Sequence, residues 1–184
     1  RETVPKKYQK YAIKIGNGLS VKIDALKTRI FDNAGFNSKR ATKRFIKWVK
    51  QYDPDVIHLH NLHGYYVNVK ILFDYLKECG KKVIWTFHDC WPFTGHCTHF
   101  DFVNCGKWET GCNGCMQKSV YPKSLVKDNS KKNYESKKQA FTWVKDLKII
   151  TPSIWLKKLV EKSFLKEYET ICINNGIDLT TFKP

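Results

Sequence analysis

Two groups of polar side chains follow directly after short apolar runs of the sequence, and they are the first candidates for chemistry. The first group is His60, Asn61 and His63, and the second is His88 and Asp89. An imidazole exchanges a proton near neutral pH, and a neighbouring carboxylate can orient it. His88 beside Asp89 is therefore predicted to hydrogen-bond a sugar hydroxyl or a phosphate, or to transfer a proton. The alternative for any single histidine is a purely structural hydrogen bond.

A cysteine-rich segment, residues 90–122, is the second chemical feature. Its spaced thiols are Cys97, Cys105, Cys112 and Cys115, of which the last two form a C-x-x-C pair beside two glycines. Tetrahedral zinc takes four thiolate or imidazole ligands, and one C-x-x-C pair supplies half of such a site. We therefore predict a structural zinc ion bound by these four cysteines in an insertion of the fold.

The cysteines leave other interpretations open. Cys90, His96 or His99 could replace one of the four thiols as a ligand. Disulfide bonds would need an oxidising compartment, as in a secreted disulfide-rich protein, and would leave one of the seven cysteines unpaired. Free thiols would not explain why so many cysteines crowd one segment. Cys79 and Cys172 are expected to be small, buried apolar side chains.

The elements that must position these residues alternate between strand and helix. Apolar runs predict four short buried strands, at residues 56–60, 82–87, 147–150 and 170–173. Amphipathic patterns predict helices at residues 21–31, 38–52, 67–79, 129–144 and 155–164. This alternation predicts an α/β fold with a Rossmann-like parallel sheet, helices on both faces, and a single domain over residues 1–184. Ser153, Asn175 and Gly176 follow the last two strands and would share the histidines' edge of the sheet.

The net charge of +16 is unevenly distributed along the chain. Residues 1–51 hold 14 Lys and Arg against 3 acids, residues 52–122 hold 6 against 7, and residues 123–184 hold 13 against 7. Basic flanks favour partners that carry phosphate, although a solvated lysine-rich surface is the plainer alternative. A zinc-stabilised nucleic-acid-binding module is the alternative function, but the segment that holds the cysteines is the near-neutral part of the chain. No apolar run is long enough to predict a membrane span or a signal peptide.

Five runs of the sequence resemble the N-terminal domain of bacterial glycosyltransferases of family 4, in the branch that acts in exopolysaccharide, colanic-acid and capsule assembly. The runs are DVIHLHNLHGYYVN (55–68), KKVIWTFHDCWPFTGHC (81–97), GCNGCMQKSVYPKS (111–124), TPSIWLKKLVEKSFL (151–165) and INNGIDLTTFKP (173–184). The resemblance implies a GT-B architecture, in which two Rossmann-like domains face each other across a cleft. It also implies a nucleotide-sugar donor, retention of anomeric configuration and no catalytic metal.

The same resemblance implies roles for the residues at the strand ends. His88, with Asp89, would be catalytic beside the donor sugar and its phosphates. The acceptor-binding residues would be His60, Asn61 and His63, and the donor-binding residues would be Asn175 and Gly176 together with Ser153. Residues 1–20 lack the family's glycine-rich loop, and the chain stops where the family's donor-binding domain with its E-x7-E motif would begin. We therefore expect an acceptor-side domain with little activity on its own.

The family branch also implies where the protein works. Transferases of this type act on lipid-linked or oligosaccharide acceptors at the inner face of the cytoplasmic membrane. The charge of +11 over residues 1–51 would favour anionic lipid headgroups. We therefore expect a cytoplasmic protein in peripheral contact with the membrane, with a nucleotide-sugar and a glycan acceptor as partners and no nucleic acid.

Overall fold

A four-stranded parallel sheet lies at the centre of the computed structural model, which describes residues 4–182. Its strands are β1 (Val56–Leu59), β2 (Lys82–Thr86), β3 (Leu147–Thr151) and β4 (Thr170–Cys172). They lie side by side in chain order, and every neighbouring pair is parallel, so their carboxyl ends share one edge. The α/β fold and the four predicted strands are confirmed.

The part of the chain that the structure describes contains six α-helices. They are α1 (Gly18–Phe31), α2 (Lys39–Tyr52), α3 (Val69–Glu78), α4 (Lys107–Thr110), α5 (Ser130–Phe141) and α6 (Ile154–Lys162). Asn68 and Ser153 cap α3 and α6, because each side chain accepts a backbone N–H from the first turn. Ser38 lies at the N-cap position of α2, but it has a positive φ of 53° and its hydroxyl donates to Asp24 rather than capping the helix.

Within residues 4–182, the helices that follow the strands cover one face of the sheet, which corrects the expectation of helices on both faces. Because the strand order follows the chain order, right-handed crossovers place α3, α5 and α6 on the same face. On that face, the Trp85 ring of β2 packs against Phe73 of α3 and Phe141 of α5, with ring centroids 5.0 and 4.9 Å apart. The second face carries partly or largely exposed side chains, namely Val56, His58, Lys82, Ile84, Thr86, Lys148, Ile150 and Ile171.

Strand β1 is less buried than its apolar sequence predicts. It pairs only with β2 within the described residues, so it forms an edge of the sheet. Val56 at its start is 45% exposed, and of its four side chains only Leu59 is fully buried. Val56 and His58 lie on the face of the sheet that has no helices, and an apolar run does not reveal whether both faces are covered.

Helix α1 directs its apolar residues outward. Leu19, Ile23, Leu26 and Ile30 recur along one side of the helix, and each is at least 36% exposed. The buried side chains of α1 are instead Asp24 and Thr28. The amphipathic pattern therefore predicted the helix correctly, but the apolar stripe contacts solvent rather than the core.

The cysteine-rich segment forms short turns, two short 3-10 helices and α4 beside the end of β2. It joins the core through buried aromatic rings, and Phe93 contacts both Phe100 and Trp108. All seven cysteines are free thiols. Among residues 4–182, no three or more His, Cys, Asp or Glu side chains are arranged to hold a metal ion. Cys79 and Cys172 are half-buried rather than fully buried.

Candidate functional site

The carboxyl edge of the sheet collects the side chains that the sequence singles out. Adjacent strands lie roughly 4.8 Å apart, so residues after β1 and β2 can touch, whereas β1 and β4 are about 14 Å apart. His60 and His63 follow β1, and His88 and Asp89 follow β2. The structure brings these four side chains together in two separate pairs.

His60 and His88 form the outer pair. Their Nδ1 and Nε2 atoms lie 2.9 Å apart, and the two rings stack with centroids separated by 5.3 Å. The indole N–H of buried Trp85 donates to the His60 carbonyl at 3.2 Å and holds the loop after β1. Partial burial lowers the pKa of His60, and the imidazoles of His58 and His88 lower it further. His60 is therefore neutral at pH 7.

His63 and Asp89 form the inner pair. His63 Nε2 donates to an Asp89 carboxylate oxygen at 2.9 Å, and His63 Nδ1 lies 3.1 Å from the Tyr121 hydroxyl. A carboxylate can only accept, so Nε2 carries the proton and Nδ1 accepts from Tyr121 when the imidazole is neutral. Burial raises the pKa of Tyr121 to about 12, which keeps its hydroxyl protonated.

Asp89 contacts His63 rather than its neighbour His88. Its second carboxylate oxygen accepts the backbone N–H of Trp91 at 2.9 Å. Side chains of consecutive residues in extended backbone point to opposite sides, so His88 and Asp89 diverge at the strand end. Contrary to the sequence prediction, Asp89 therefore does not orient His88. Instead, the His60–His88 and His63–Asp89 contacts each join the loop after β1 to the loop after β2.

The other predicted site residues lie apart from these pairs. Ser153 Oγ accepts the backbone N–H of Leu156 at 3.2 Å and so caps α6. Asn175 and Gly176 are exposed in the irregular segment after β4. Asn61 is exposed, and its carbonyl accepts the Tyr66 hydroxyl. The structure thus places Ser153, Asn175 and Gly176 farther along the same edge than the histidines.

Comparison with known proteins identifies the family. Residues 20–181 match the family described as Glycosyltransferase Family 4. The chain belongs to this family. It is also 32% identical over 138 residues to WcaC of Escherichia coli K12, which is assigned as a colanic acid biosynthesis glycosyl transferase. The match covers 70% of this chain and 32% of WcaC, so the chain spans about a third of that relative's length. No solved structure matches the chain significantly.

Membership of glycosyltransferase family 4 confirms the resemblance on which the sequence assignment rested. It favours a transferase over a basic nucleic-acid-binding module. Within residues 4–182, no helix combines the length and the apolar character needed to cross a membrane.

Tyr121 contacts His63 and Lys137 contacts Trp91, but the sequence did not indicate a role for either residue. Tyr121 ends the cysteine-rich segment, and only its place in the family-like run 111–124 could have indicated a role. Lys137 lies in a lysine-rich helix whose pattern does not indicate that this side chain is buried. Its Nζ donates to the carbonyls of Trp91 and Thr94 at 2.7 and 2.9 Å. Burial lowers the pKa of Lys137 to about 7.

The four predicted zinc ligands lie around one small cavity of about 20 Å³. The cysteines that line it are Cys97, Cys105, Cys112 and Cys115. The hydrogen bond between the Cys97 and Cys115 thiols lowers the pKa of Cys115 to about 7 and raises that of Cys97. His96 is not a spare ligand, because its ring nitrogens contact Asp32 Oδ1 at 2.5 Å and the Val120 carbonyl at 3.4 Å.

Proposed function

We propose that this chain is the acceptor-side domain of a retaining glycosyltransferase. The enzyme would move a sugar from a nucleotide-sugar to a lipid-linked or oligosaccharide acceptor in surface polysaccharide synthesis. The observation that carries the proposal is the His60–His88 pair at the carboxyl ends of neighbouring strands in a family 4 chain. Ligands of open α/β sheets bind at this edge.

The His60–His88 pair can present a donor and an acceptor to substrates at the same time. Its internal hydrogen bond uses His60 Nδ1 and His88 Nε2, which leaves His60 Nε2 and His88 Nδ1 for other groups. When His60 donates the shared proton, His88 Nδ1–H is a donor and His60 Nε2 is an acceptor. A donor suits the oxygens of a leaving diphosphate, and an acceptor suits the hydroxyl of an incoming glycan. If His88 Nδ1 gives its proton to the leaving diphosphate, the shared proton passes to His88 Nε2 and His60 Nε2 takes a proton from the glycan hydroxyl, which exchanges the two roles.

The other edge residues take supporting roles in this proposal. Asp89 contributes to catalysis by holding His63 and the loop after β2, because both of its carboxylate oxygens are already engaged. Asn61 and His63 belong to the acceptor side. Ser153, Asn175 and Gly176 contact the donor, where the N–H groups at the start of α6 can face phosphate oxygens. The reaction uses no catalytic metal.

The proposal is tested by alanine substitution of His88 in the complete enzyme. The measurement is the release of nucleoside diphosphate from a panel of nucleotide-sugars, with a membrane extract as acceptor. His88→Ala should lower turnover by roughly 100-fold or more, because general acid–base groups typically contribute 10²–10⁴-fold. His99→Ala is the matched control, since His99 is exposed in the cysteine-rich segment. Full turnover by His88→Ala would contradict the proposal. If EDTA inhibited the enzyme and added Mg²⁺ or Mn²⁺ restored turnover, the proposed reaction without a catalytic metal would be wrong.

The acceptor side of the enzyme is proposed to rest on the inner face of the cytoplasmic membrane. The exposed apolar stripe of α1 lies among exposed basic side chains, namely Lys22, Lys27 and Arg29. An apolar stripe flanked by lysine and arginine is typical of helices that lie in the membrane interface, and each basic residue adds about 1 kcal/mol near anionic lipid. The lipid-linked acceptor would then reach the histidines from the membrane.

Vesicle binding separates this membrane contact from the reaction itself. The complete enzyme should sediment with vesicles that contain anionic phosphatidylglycerol and much less with vesicles of phosphatidylcholine alone. Ile23→Glu with Leu26→Glu should abolish the difference, whereas Trp143→Glu, at an 84% exposed apolar residue before β3, should preserve it. Equal sedimentation with both vesicle types would remove the membrane contact and leave the transferase proposal intact.

A further inference from the structure

We propose that Cys97, Cys105, Cys112 and Cys115 bind one zinc ion that fixes the cysteine-rich segment to the sheet domain. The four cysteines are separate from the histidine pairs, and zinc binding does not require that the proposed reaction is correct. It is a structural site, because four thiolate ligands leave no open position for a substrate.

The convergence of the four cysteines on one cavity is the first support for this site. They come from different turns of the chain, yet all line a cavity of about 20 Å³ whose walls include Phe100 and Trp108. A cavity of about 10–15 Å³ holds one water molecule, so this one is large enough for a single zinc ion. Four cysteines are a common ligand set for tetrahedral structural zinc.

The backbone around Cys112 provides the second support. The N–H of Gly95 donates to Cys112 Sγ at 3.1 Å. Ligands of a metal are commonly held by such outer hydrogen bonds. A Cβ at position 95 would lie 2.7 Å from the Cys112 Cβ and 2.1 Å from the Ser130 carbonyl oxygen, so only glycine allows this approach. The glycine at position 95 therefore allows its backbone N–H to hydrogen-bond to Cys112 Sγ.

A buried lysine provides the third support. Lys137 is 1% exposed and forms no ion pair with a carboxylate among the described residues. Its Nζ donates at 2.9 Å to the carbonyl of Thr94, a residue that lines the cysteine cavity. A buried cation needs a compensating anion. Zinc bound by four thiolates carries a net charge of −2, and it would supply that anion beside Lys137.

Zinc binding requires a rearrangement of the thiols. Among residues 4–182, no three ligand-type side chains stand ready to hold a metal. Binding turns the four sulfurs toward one point in the cavity. Four thiols and one Zn²⁺ ion then give one tetrathiolate zinc centre and four released protons. No oxidant is needed, and no cysteine changes its oxidation state.

The test is the zinc content of the complete, tag-free protein, purified without chelators and measured by inductively coupled plasma mass spectrometry. We expect about one zinc per chain, with the four cavity thiols unreactive toward a thiol reagent until a chelator is added. Cys112→Ser and Cys105→Ser should lose the zinc. The matched controls Cys79→Ser and Cys172→Ser, at half-buried cysteines away from the cavity, should keep it.

A second measurement covers the case in which the cysteine variants do not fold. Unaltered protein from which the zinc was removed and replaced by Co²⁺ should show the intense visible absorption of tetrahedral cobalt thiolate. A metal-free protein whose seven cysteines all react with the thiol reagent would overturn the proposal. A disulfide between any two cavity cysteines, detected by mass spectrometry of the native protein, would overturn it as well.

Discussion

The histidine edge and the cysteine cavity are neighbours in sequence but opposite in environment. His60 and His88 contact each other at an open edge of the sheet, and both side chains are exposed. The cysteines line a small cavity, where Cys97 is 8% exposed. Exposed imidazoles can contact a substrate, whereas thiols that line a closed cavity suit a structural role. The dense run of reactive residues from His88 to Tyr121 therefore divides into a surface for chemistry and a structural support.

Trp91 joins the two regions. Its backbone N–H donates to Asp89, and its carbonyl accepts from Lys137 beside the cysteines. Its ring packs 5.3 Å from the His63 ring and 3.5 Å from the Lys137 ammonium. The geometry of the inner histidine pair therefore depends on the packing of the cysteine-rich segment.

Trp91→Ala should have the largest effect, because it damages both regions at once. Loss of this buried ring should lower the free energy of unfolding by about 3–5 kcal/mol. Turnover of the folded remainder should also fall, since the support of His63 is lost. Chemical denaturation and turnover per folded molecule measure the two effects. A variant that loses stability alone would show that the regions are independent.

Lys137→Met should affect the cysteine region and spare the histidines. The two carbonyls that the ammonium satisfies would be left without donors, at a cost of about 1–3 kcal/mol each in the free energy of unfolding. The neighbouring exposed Lys138→Met is the matched control and should leave the unfolding midpoint unchanged. Denaturant titration measures both variants. Equal midpoints for the two variants would contradict the structural role of Lys137.

Asp89→Asn should affect the histidines and spare the cysteines. The substitution removes the charge that stabilises His63 Nε2–H while keeping the size of the side chain. We expect about a tenfold loss of turnover, corresponding to about 1.4 kcal/mol, because Asp89 acts through His63. The zinc content should not change. Loss of the metal from this variant would contradict the separation of the two regions.

The pH profile of turnover should depend on the outer pair. The pKa of His60 is lowered in the folded protein, so protonation favours the unfolded state. Neutral His60 is present above its folded pKa, and it is lost as the pH falls through that value, which lies below 6.5. Turnover should therefore fall as the pH is lowered below neutral, and His60→Gln should remove this decrease. If His60→Gln showed the same decrease at acid pH, another group would be responsible for it.

Tyr121→Phe should have the smallest effect. It removes the hydroxyl that lies 3.1 Å from His63 Nδ1 and leaves the aromatic packing in place. One hydrogen bond contributes about 1 kcal/mol, so turnover should fall by less than tenfold. Steady-state kinetics on the complete enzyme would measure the change. A loss as large as that expected for His88→Ala would give Tyr121 a direct role in the reaction.

The sequence predicted which helices and strands form, but not which of their faces are buried against other elements. The four strands and the long helices follow from apolar runs, periodicity and residues such as Ser153 that cap helices. Periodicity places Ile23 and Leu26 on one side of α1, yet it contains no information on whether that side is covered. The bare second face of the sheet follows from the strand order, which a single sequence does not state.

The site shows the same limit at the level of side chains. Parallel strands bring their ends together, so the clustering of His60 with His88 was predictable. The pairing of Asp89 with His63 was not, because it depends on the directions of consecutive side chains. Lys137 was hidden for a similar reason, since its burial depends on packing against Trp91 and not on its own helix pattern.

Strand β1 has a practical consequence for laboratory work on this chain. Its outer row of amide and carbonyl groups has no strand partner among the described residues, and it borders the apolar side chains of the uncovered face. Such rows template the addition of further strands. A purified sample of the isolated chain should therefore self-associate as its concentration rises, and it should elute earlier from a sizing column at high load than after dilution.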